Sequence, residues 1–118
     1  MKKQQNNTRL TRINDEIRNE AASIIRGELA DPRIPPVVSV TKVDTTRDLK
    51  FCKLYISVPG GEEDRTRALE GIKSANGCIR RLLAERLNLR QTPELTFISD
   101  DSLEYGARMS KLIDEVNQ

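Results

Sequence analysis

The side chains best placed to do chemistry in this sequence are arginines, and the chemistry they suit is the binding of phosphate, because a guanidinium presents a rigid fork of donors. From Cys78 to Arg90 the only acid is Glu85, against four arginines: Arg80, Arg81, Arg86 and Arg90. A second group precedes Asn14 with no acid at all: Lys2, Lys3, Arg9 and Arg12. Segregated charge of this kind predicts a basic face on a molecule whose net charge is only +2. Solvated helix surface explains the same counts equally well.

Other kinds of chemistry are poorly supported by the residues present. The chain has no histidine, which removes the commonest metal ligand and the commonest general base at neutral pH. Cys52 and Cys78 are far apart and match no CxxC spacing, so both are expected to be reduced thiols, with Cys52 in the core. The acids are grouped at 62–64, at 100–101 and near the C-terminus, without a pairing that indicates acid–base catalysis. We therefore expect no catalytic residue, no metal site, no cofactor and no enzymatic activity.

Length and hydropathy indicate one soluble domain. A chain of 118 residues buries one modest core, so residues 1–118 are expected to form a single domain with a short basic tail over about residues 1–8. No apolar run approaches the roughly 20 residues that cross a membrane. The lysines at the N-terminus are not followed by the apolar segment of a secretory signal. A cytoplasmic monomer that does not bind membranes is the expectation.

Apolar periodicity predicts the elements that carry these arginines. A first helix is expected from about Thr8 to Ala30, where Asp31-Pro32 ends it, with Arg12 and Arg26 opposite its apolar stripe. Two strands follow, the second of which alternates between apolar and polar positions. The expected bounds of the remaining elements are strands at Val37–Val43, Phe51–Val58 and Pro93–Ser99, a second helix from Glu62, a third helix to about Leu89, and a final helix after Asp100.

Three strands leave one sheet face for the helices to cover, which predicts a two-layer α+β sandwich. The expected core draws on every element: Ile13, Ile17, Ile24, Val38, Val40, Leu54, Ile56, Leu69, Ile72, Ile79, Leu83, Phe97 and Leu112.

The junction between the second and third helices, Ser74-Ala75-Asn76-Gly77, places a lone glycine within helix-compatible sequence. Glycine inside a helix costs roughly 1 kcal/mol relative to alanine, so its presence predicts a break that the fold requires. We expect a kink at Ala75, Asn76 and Gly77. Gly77 itself is expected to have a positive φ or a contact too tight for a Cβ.

The order helix, strand, strand, helix, kink, helix, strand, helix resembles the type II KH topology with its three-stranded mixed sheet, in which a GxxG loop at this junction clamps a nucleic-acid backbone. Here the first glycine of that loop is missing. An Ala-x-Gly junction in a KH-like frame is similar to the ribosome-binding factor A family. The stretches "ADPRI", "RDLKFCKLYISV", "GCIRRLLAERLNLRQTPELTF" and "DDSLEYGARMSKLI" carry the same resemblance, which extends from Arg9 to Ile113.

The resemblance implies a cytoplasmic, non-enzymatic assembly factor that binds the immature small (30S) ribosomal subunit. It further implies a role in maturation of the 5′ end of 16S rRNA and in growth in the cold. The expected RNA contacts are arginines of the two basic groups and of the first helix: Arg9, Arg12, Arg26, Arg80, Arg81 and Arg90.

The sequence leaves a second function open. Only four aromatic side chains are present, so stacking on bases is not expected to dominate, and recognition of folded RNA by shape and phosphate fits better. The alternative is a protein–protein adaptor whose arginines serve only solubility. Steep salt dependence distinguishes RNA binding from an apolar protein interface.

Overall fold

The computed structural model of the chain describes residues 8–100. Its elements, in chain order, are α1 (Thr8–Gly27), β1 (Ser39–Thr45), β2 (Phe51–Ser57), α2 (Glu62–Ser74), α3 (Asn76–Leu87) and β3 (Glu94–Ser99). The predicted order is confirmed over these residues, and α1 ends three residues earlier than expected. The basic tail before Thr8 and the final helix predicted after Asp100 lie outside the described residues.

The three strands form one mixed sheet in the order β1-β2-β3. β1 and β2 are antiparallel, with Val43 opposite Leu54, and β2 and β3 are parallel, with Leu54 opposite Phe97. A parallel pair requires a crossover connection, which α2 and α3 supply. The helices cover one sheet face, since Cys52 and Leu54 are buried while the intervening Lys53 is exposed. The two-layer α+β sandwich is confirmed.

The core lies between the helices and the covered sheet face. The predicted core residues are buried, apart from Ile13 and Leu69, which are half-buried against the rest, and Leu112, which lies outside the described residues. Further core residues are Ala21, Ile25, Val43, Val58, Ala68 and Leu95. Cys52 is buried within it as expected, burial raises the pKa of its thiol, and neither it nor Cys78 forms a disulfide.

The connector after α1 is a closed turn that packs on α2. The Asp31 carboxylate accepts bonds from the Arg33 guanidinium, at 3.0 Å from Nε and 2.7 Å from Nη2, and from the Arg33 backbone N–H at 2.9 Å. These bonds lower the pKa of Asp31 to about 2. A Cβ on Gly71 of α2 would stand 3.1 Å from Asp31 Oδ2 and 3.0 Å from Ile34 Cγ1. The connector therefore lies directly against the glycine.

The helix break between α2 and α3 is present, but the expectation for Gly77 was wrong. Gly77 lies in the first turn of α3, has no positive φ, and has no atom within 4 Å of the place a Cβ would take. The break falls at Ala75, with φ −94° and ψ 12°. Tertiary contacts hold the new direction, since Asn76 Nδ2 donates to the Leu95 carbonyl at 3.4 Å. The angle is set by attachment of α3 to β3 rather than by glycine.

Candidate nucleic-acid interface

Arg9 and Arg12 lie on the first turns of α1, where both are exposed. Asn14 Oδ1 accepts a bond from the Thr45 N–H at 3.1 Å, which fixes this part of α1 beside the end of β1. The buried residues of α1 begin only at Ile17, so the turns that carry the two arginines extend past the sheet. Neither arginine forms an ion pair with any residue in the range 8–100. Within residues 8–100 no carboxylate therefore neutralises either guanidinium group.

Arg26 is also exposed, but in the last turn of α1. It follows Arg12 by fourteen residues, which corresponds to about 21 Å along the helix axis. The structure therefore does not bring Arg26 together with the arginines at the start of α1.

Arg80 has a role inside the fold that the sequence did not reveal. Its side chain is half-buried, with Nε donating to the Pro93 carbonyl at 3.0 Å and Nη2 to the Thr92 carbonyl at 2.8 Å. These bonds attach α3 to the segment that enters β3. A contact between Arg80 and RNA stays a prediction, and these bonds leave it the two Nη1 hydrogens and one Nη2 hydrogen.

Arg81, the neighbouring residue, is exposed and pairs with Glu85 one turn later at 3.2 Å. Both side chains are about three-fifths exposed, at 62% and 61%. An exposed pair of this kind is worth little free energy, so the guanidinium can exchange the carboxylate for a phosphate. Arg86 is different, because it pairs with Glu20 of α1 at 3.5 Å and with Glu28, the residue after α1, at 3.0 Å.

Arg90 lies on the loop between α3 and β3, which opens at Asn88 in the left-handed conformation with φ 52°. It is exposed and has no ion-pair partner among the residues of the described range. The same loop leads to Glu94, whose N–H donates to the Lys50 carbonyl at 2.8 Å. That bond joins the Arg90 loop to the β1–β2 hairpin.

Sequence reasoning missed the cations of that hairpin, Arg47 and Lys50, because it treated the loop as an ordinary polar turn. Both are exposed and outside every ion pair found between residues 8 and 100. A usable signal was present, since Phe51, an aromatic residue at a solvent-facing strand position, directly follows Lys50 and comes four residues after Arg47. We call one set of exposed cations the basic end: Arg9, Arg12, Arg47, Lys50 and Arg90.

Acidic residues collect at the other end of the sheet. β2 runs from Phe51 beside the hairpin to Ser57, and α2 begins shortly after it with Glu62, Glu63 and Asp64. Gly60 makes the turn between them, with φ 114°, and Asp64 Oδ2 accepts a bond from the Gly61 N–H at 3.2 Å. Carboxylates at a helix N-terminus are favoured by the helix dipole. The acidic first turn of α2 thus lies at the end of β2 opposite the basic end, although Arg65 and Arg67 follow it within α2.

Two further properties concern the described residues alone. Within residues 8–100 no group of three or more Cys, Asp or Glu side chains is arranged to hold a metal ion. The helices of that range are too short or too polar to span a bilayer.

The whole chain has clear relatives. A family profile described as "Ribosome-binding factor A" matches residues 9–113. The ribosome-binding factor A of Lachnospira eligens is 54% identical over 113 residues, covering 96% of this chain and 87% of that protein. The ribosome-binding factor A of Acetivibrio thermocellus is 48% identical over 109 residues, covering 92% and 89%.

Solved structures give the same result for the fold. A crystal structure of ribosome-binding factor A from Thermus thermophilus superposes with a TM-score of 0.66 at 25% identity, covering 75% of this chain and 93% of that one. A second Thermus thermophilus structure is a homology model of the factor fitted into a cryo-EM map of its 30S complex. It has a TM-score of 0.63 at 25% identity, covering 75% and 91%.

Proposed function

The chain belongs to the ribosome-binding factor A family, and we propose that it binds the small (30S) ribosomal subunit and its precursor as an assembly factor. The observation that carries the proposal is the family match over residues 9–113, joined to a relative that was fitted into the map of a 30S complex. The shared KH-like α+β fold is consistent with this function.

The contacts are made by arginines that the fold leaves exposed. Arg9, Arg12 and Arg90 bind phosphates of 16S rRNA at the basic end, Arg26 binds further along α1, and Arg81 exchanges Glu85 for a phosphate. Arg80 contributes through Nη1 while Nε and Nη2 keep their bonds to the chain before β3. Each phosphate neutralised releases counterions, which makes binding favourable and dependent on salt.

The RNA bound is folded rather than single-stranded. The junction at 74–77 lacks the first glycine of a GxxG loop, and Asn76 already bonds to the Leu95 carbonyl of β3. A KH-type clamp for a single strand is therefore poorly supported at this junction. Recognition by shape and phosphate remains, which suits the helices of a ribosomal subunit.

In the cell the protein assists maturation of the 5′ end of 16S rRNA and supports growth in the cold. It acts in the cytoplasm as a monomer and without catalysis of its own, leaving the cleavage of RNA to nucleases. The family assignment supports the role in ribosome assembly, and the absence of histidine from the sequence supports the lack of catalysis.

The test compares two charge reversals in pelleting assays with purified small subunits. The double variant Arg9→Glu, Arg12→Glu replaces two phosphate contacts by repulsion and is expected to weaken binding by about 10- to 100-fold. The matched control is Arg67→Glu, Lys73→Glu, which changes the same charge on α2, and it is expected to bind as the natural chain does. Circular dichroism verifies that both variants are folded.

Two results would contradict the proposal. One is an equal loss of binding in both double variants, and the other is an unstructured oligonucleotide bound as tightly as the subunit. In cells that lack the factor, the natural chain should remove the 5′-extended 16S precursor at low temperature, and the Arg9→Glu, Arg12→Glu variant should not.

A further inference from the structure

The loop between β1 and β2 is held in one conformation by its own side chains. Thr46 Oγ1 donates to Asp48 Oδ1 at 2.7 Å, and the Lys50 N–H donates to the same oxygen at 3.1 Å. The Phe51 N–H donates to Thr46 Oγ1 at 3.1 Å, which joins the loop to the first residue of β2. These bonds lower the pKa of Asp48 and turn its carboxylate into the loop. The hairpin is therefore an ordered element.

Leu49, within this loop, adopts the left-handed conformation with φ 61°. Only three described residues have a positive φ, and the other two are the glycine and the asparagine that commonly take it, Gly60 and Asn88. A leucine in this region is disfavoured by contact between its Cβ and the backbone. Strain of this kind persists where the surroundings impose it and is concentrated at binding loops.

The loop displays two cations and an aromatic ring that the fold does not use. Arg47 and Lys50 are exposed, and Phe51 is 53% exposed on the sheet face away from the core. Cys52, the next residue, is 1% exposed, so the strand turns Phe51 outward while it buries its neighbour. A half-exposed phenylalanine beside exposed cations stabilises the monomer little. An aromatic ring beside two cations suits a planar partner that carries negative charge.

We propose that this hairpin element, formed by Arg47, Lys50 and Phe51, is an RNA contact in which Phe51 stacks on an unpaired base and the two cations bind the flanking phosphates. Base stacking on an aromatic ring beside basic side chains is a general mode of single-strand recognition. The inference depends on the proposed function for the identity of the partner. It adds a contact with one unpaired nucleotide to the contacts that the arginines make with folded RNA.

Carboxylates on the same sheet face limit the size of this contact. Glu94 lies opposite Phe51 on β3, and Asp44 lies opposite Lys53 on β1. Both are exposed; Glu94 repels a phosphate placed beside Phe51, whereas the charge of Asp44 is offset by Lys53 opposite it. The element receives one base at Phe51, since Tyr55, the next aromatic side chain on this face, is half-buried and already carries the Lys42 ammonium over its ring at 5.5 Å. A single stacked base agrees with the scarcity of aromatic residues in the sequence.

The first test uses the only other strongly exposed large hydrophobic residue of the described range, Val37, which is 63% exposed on the connector before β1. Phe51→Ala is expected to weaken binding to small subunits by about 5- to 150-fold, the range that loss of one stacked base produces. Phe51→Tyr keeps a π face and is expected to bind as the natural chain does. Val37→Ala, the matched control, is expected to change nothing.

The second test identifies what the ring touches. Photoreactive benzoylphenylalanine is incorporated at position 51 or at position 37 of the full chain, and each protein is irradiated on small subunits. A crosslink to 16S rRNA from position 51 but not from position 37 is the expected result. Crosslinks from position 51 to ribosomal proteins alone, or none, would overturn the inference while the binding of the natural chain still stands. Failure of the natural chain to bind subunits would overturn the proposed function and the inference with it.

Discussion

At the scale of single residues, two glycines of the crossover have opposite surroundings. Gly71 in α2 lies against Asp31 and Ile34, so a methyl group there meets atoms at 3.0–3.2 Å. Gly77 in α3 has open space and helical backbone. The same substitution should therefore act in opposite directions at positions six residues apart.

Gly77→Ala is expected to raise the free energy of unfolding by up to about 1 kcal/mol, because alanine is the better helix former and meets no clash. Gly71→Ala is expected to lower it by about 1 kcal/mol, since overpacking costs roughly 1–3 kcal/mol and the helix gain offsets only part. Thermal melts measure both, with shifts of about 4–8 °C for each kcal/mol in a chain of this size. A lower melting temperature for Gly77→Ala would indicate that the backbone at 77 is strained after all.

The error over Gly77 shows what a residue type cannot reveal. A lone glycine in a helical sequence indicates that a break is near, and the break lies two residues before Gly77, at Ala75. Which residue bends depends on where α3 attaches to β3 through Asn76 and Arg80, and those contacts join positions thirteen to nineteen apart in sequence. Periodicity carries no information about them.

At the scale of elements, the attachment of α3 separates two adjacent arginines. Arg80 donates to backbone carbonyls at 92 and 93, whereas Arg81 pairs only on the surface with Glu85. A double charge reversal of both residues would therefore confuse folding with binding. The two must be tested one at a time.

Arg80→Met is expected to lower the free energy of unfolding by about 1–3 kcal/mol, because two bonds from a charged donor are lost and two carbonyls lose a partner. Arg81→Met is the matched control and is expected to change it by less than about 0.5 kcal/mol. Urea denaturation measures the difference as a shift in the midpoint concentration of urea, with the dependence of the free energy of unfolding on urea unchanged. Equal midpoints for the two variants would mean that the bonds to Thr92 and Pro93 contribute nothing to stability.

Most of the elements themselves could be predicted from sequence. Alternation in β2 and the apolar stripe of α1 located their buried faces, because burial imposes a period of two on strands and 3.6 on helices. The end of α1 was placed too late, since Asp31-Pro32 marks where a helix must have stopped and not where it stops. The candidate site was predicted in part, because the arginines and the outward face of β2 were visible, whereas the inward bonds of Arg80 were not.

At the scale of the whole molecule, function depends on how charge is distributed. The net charge of +2 is small, yet the basic end and the acidic start of α2 lie at opposite ends of β2. We expect a nucleic acid to be attracted to the exposed cations of the basic end, which orients the encounter. An adaptor that binds protein through apolar surface would have no need of this separation.

The salt dependence of binding to purified small ribosomal subunits tests this account most directly. If about four to six phosphates are neutralised, the logarithm of the association constant should fall with the logarithm of salt concentration at a slope of about −3 to −5. The Arg9→Glu, Arg12→Glu variant should show a shallower slope than the natural chain, and the Arg67→Glu, Lys73→Glu control should keep it. A slope near zero with affinity retained would contradict RNA binding and establish a protein–protein adaptor instead.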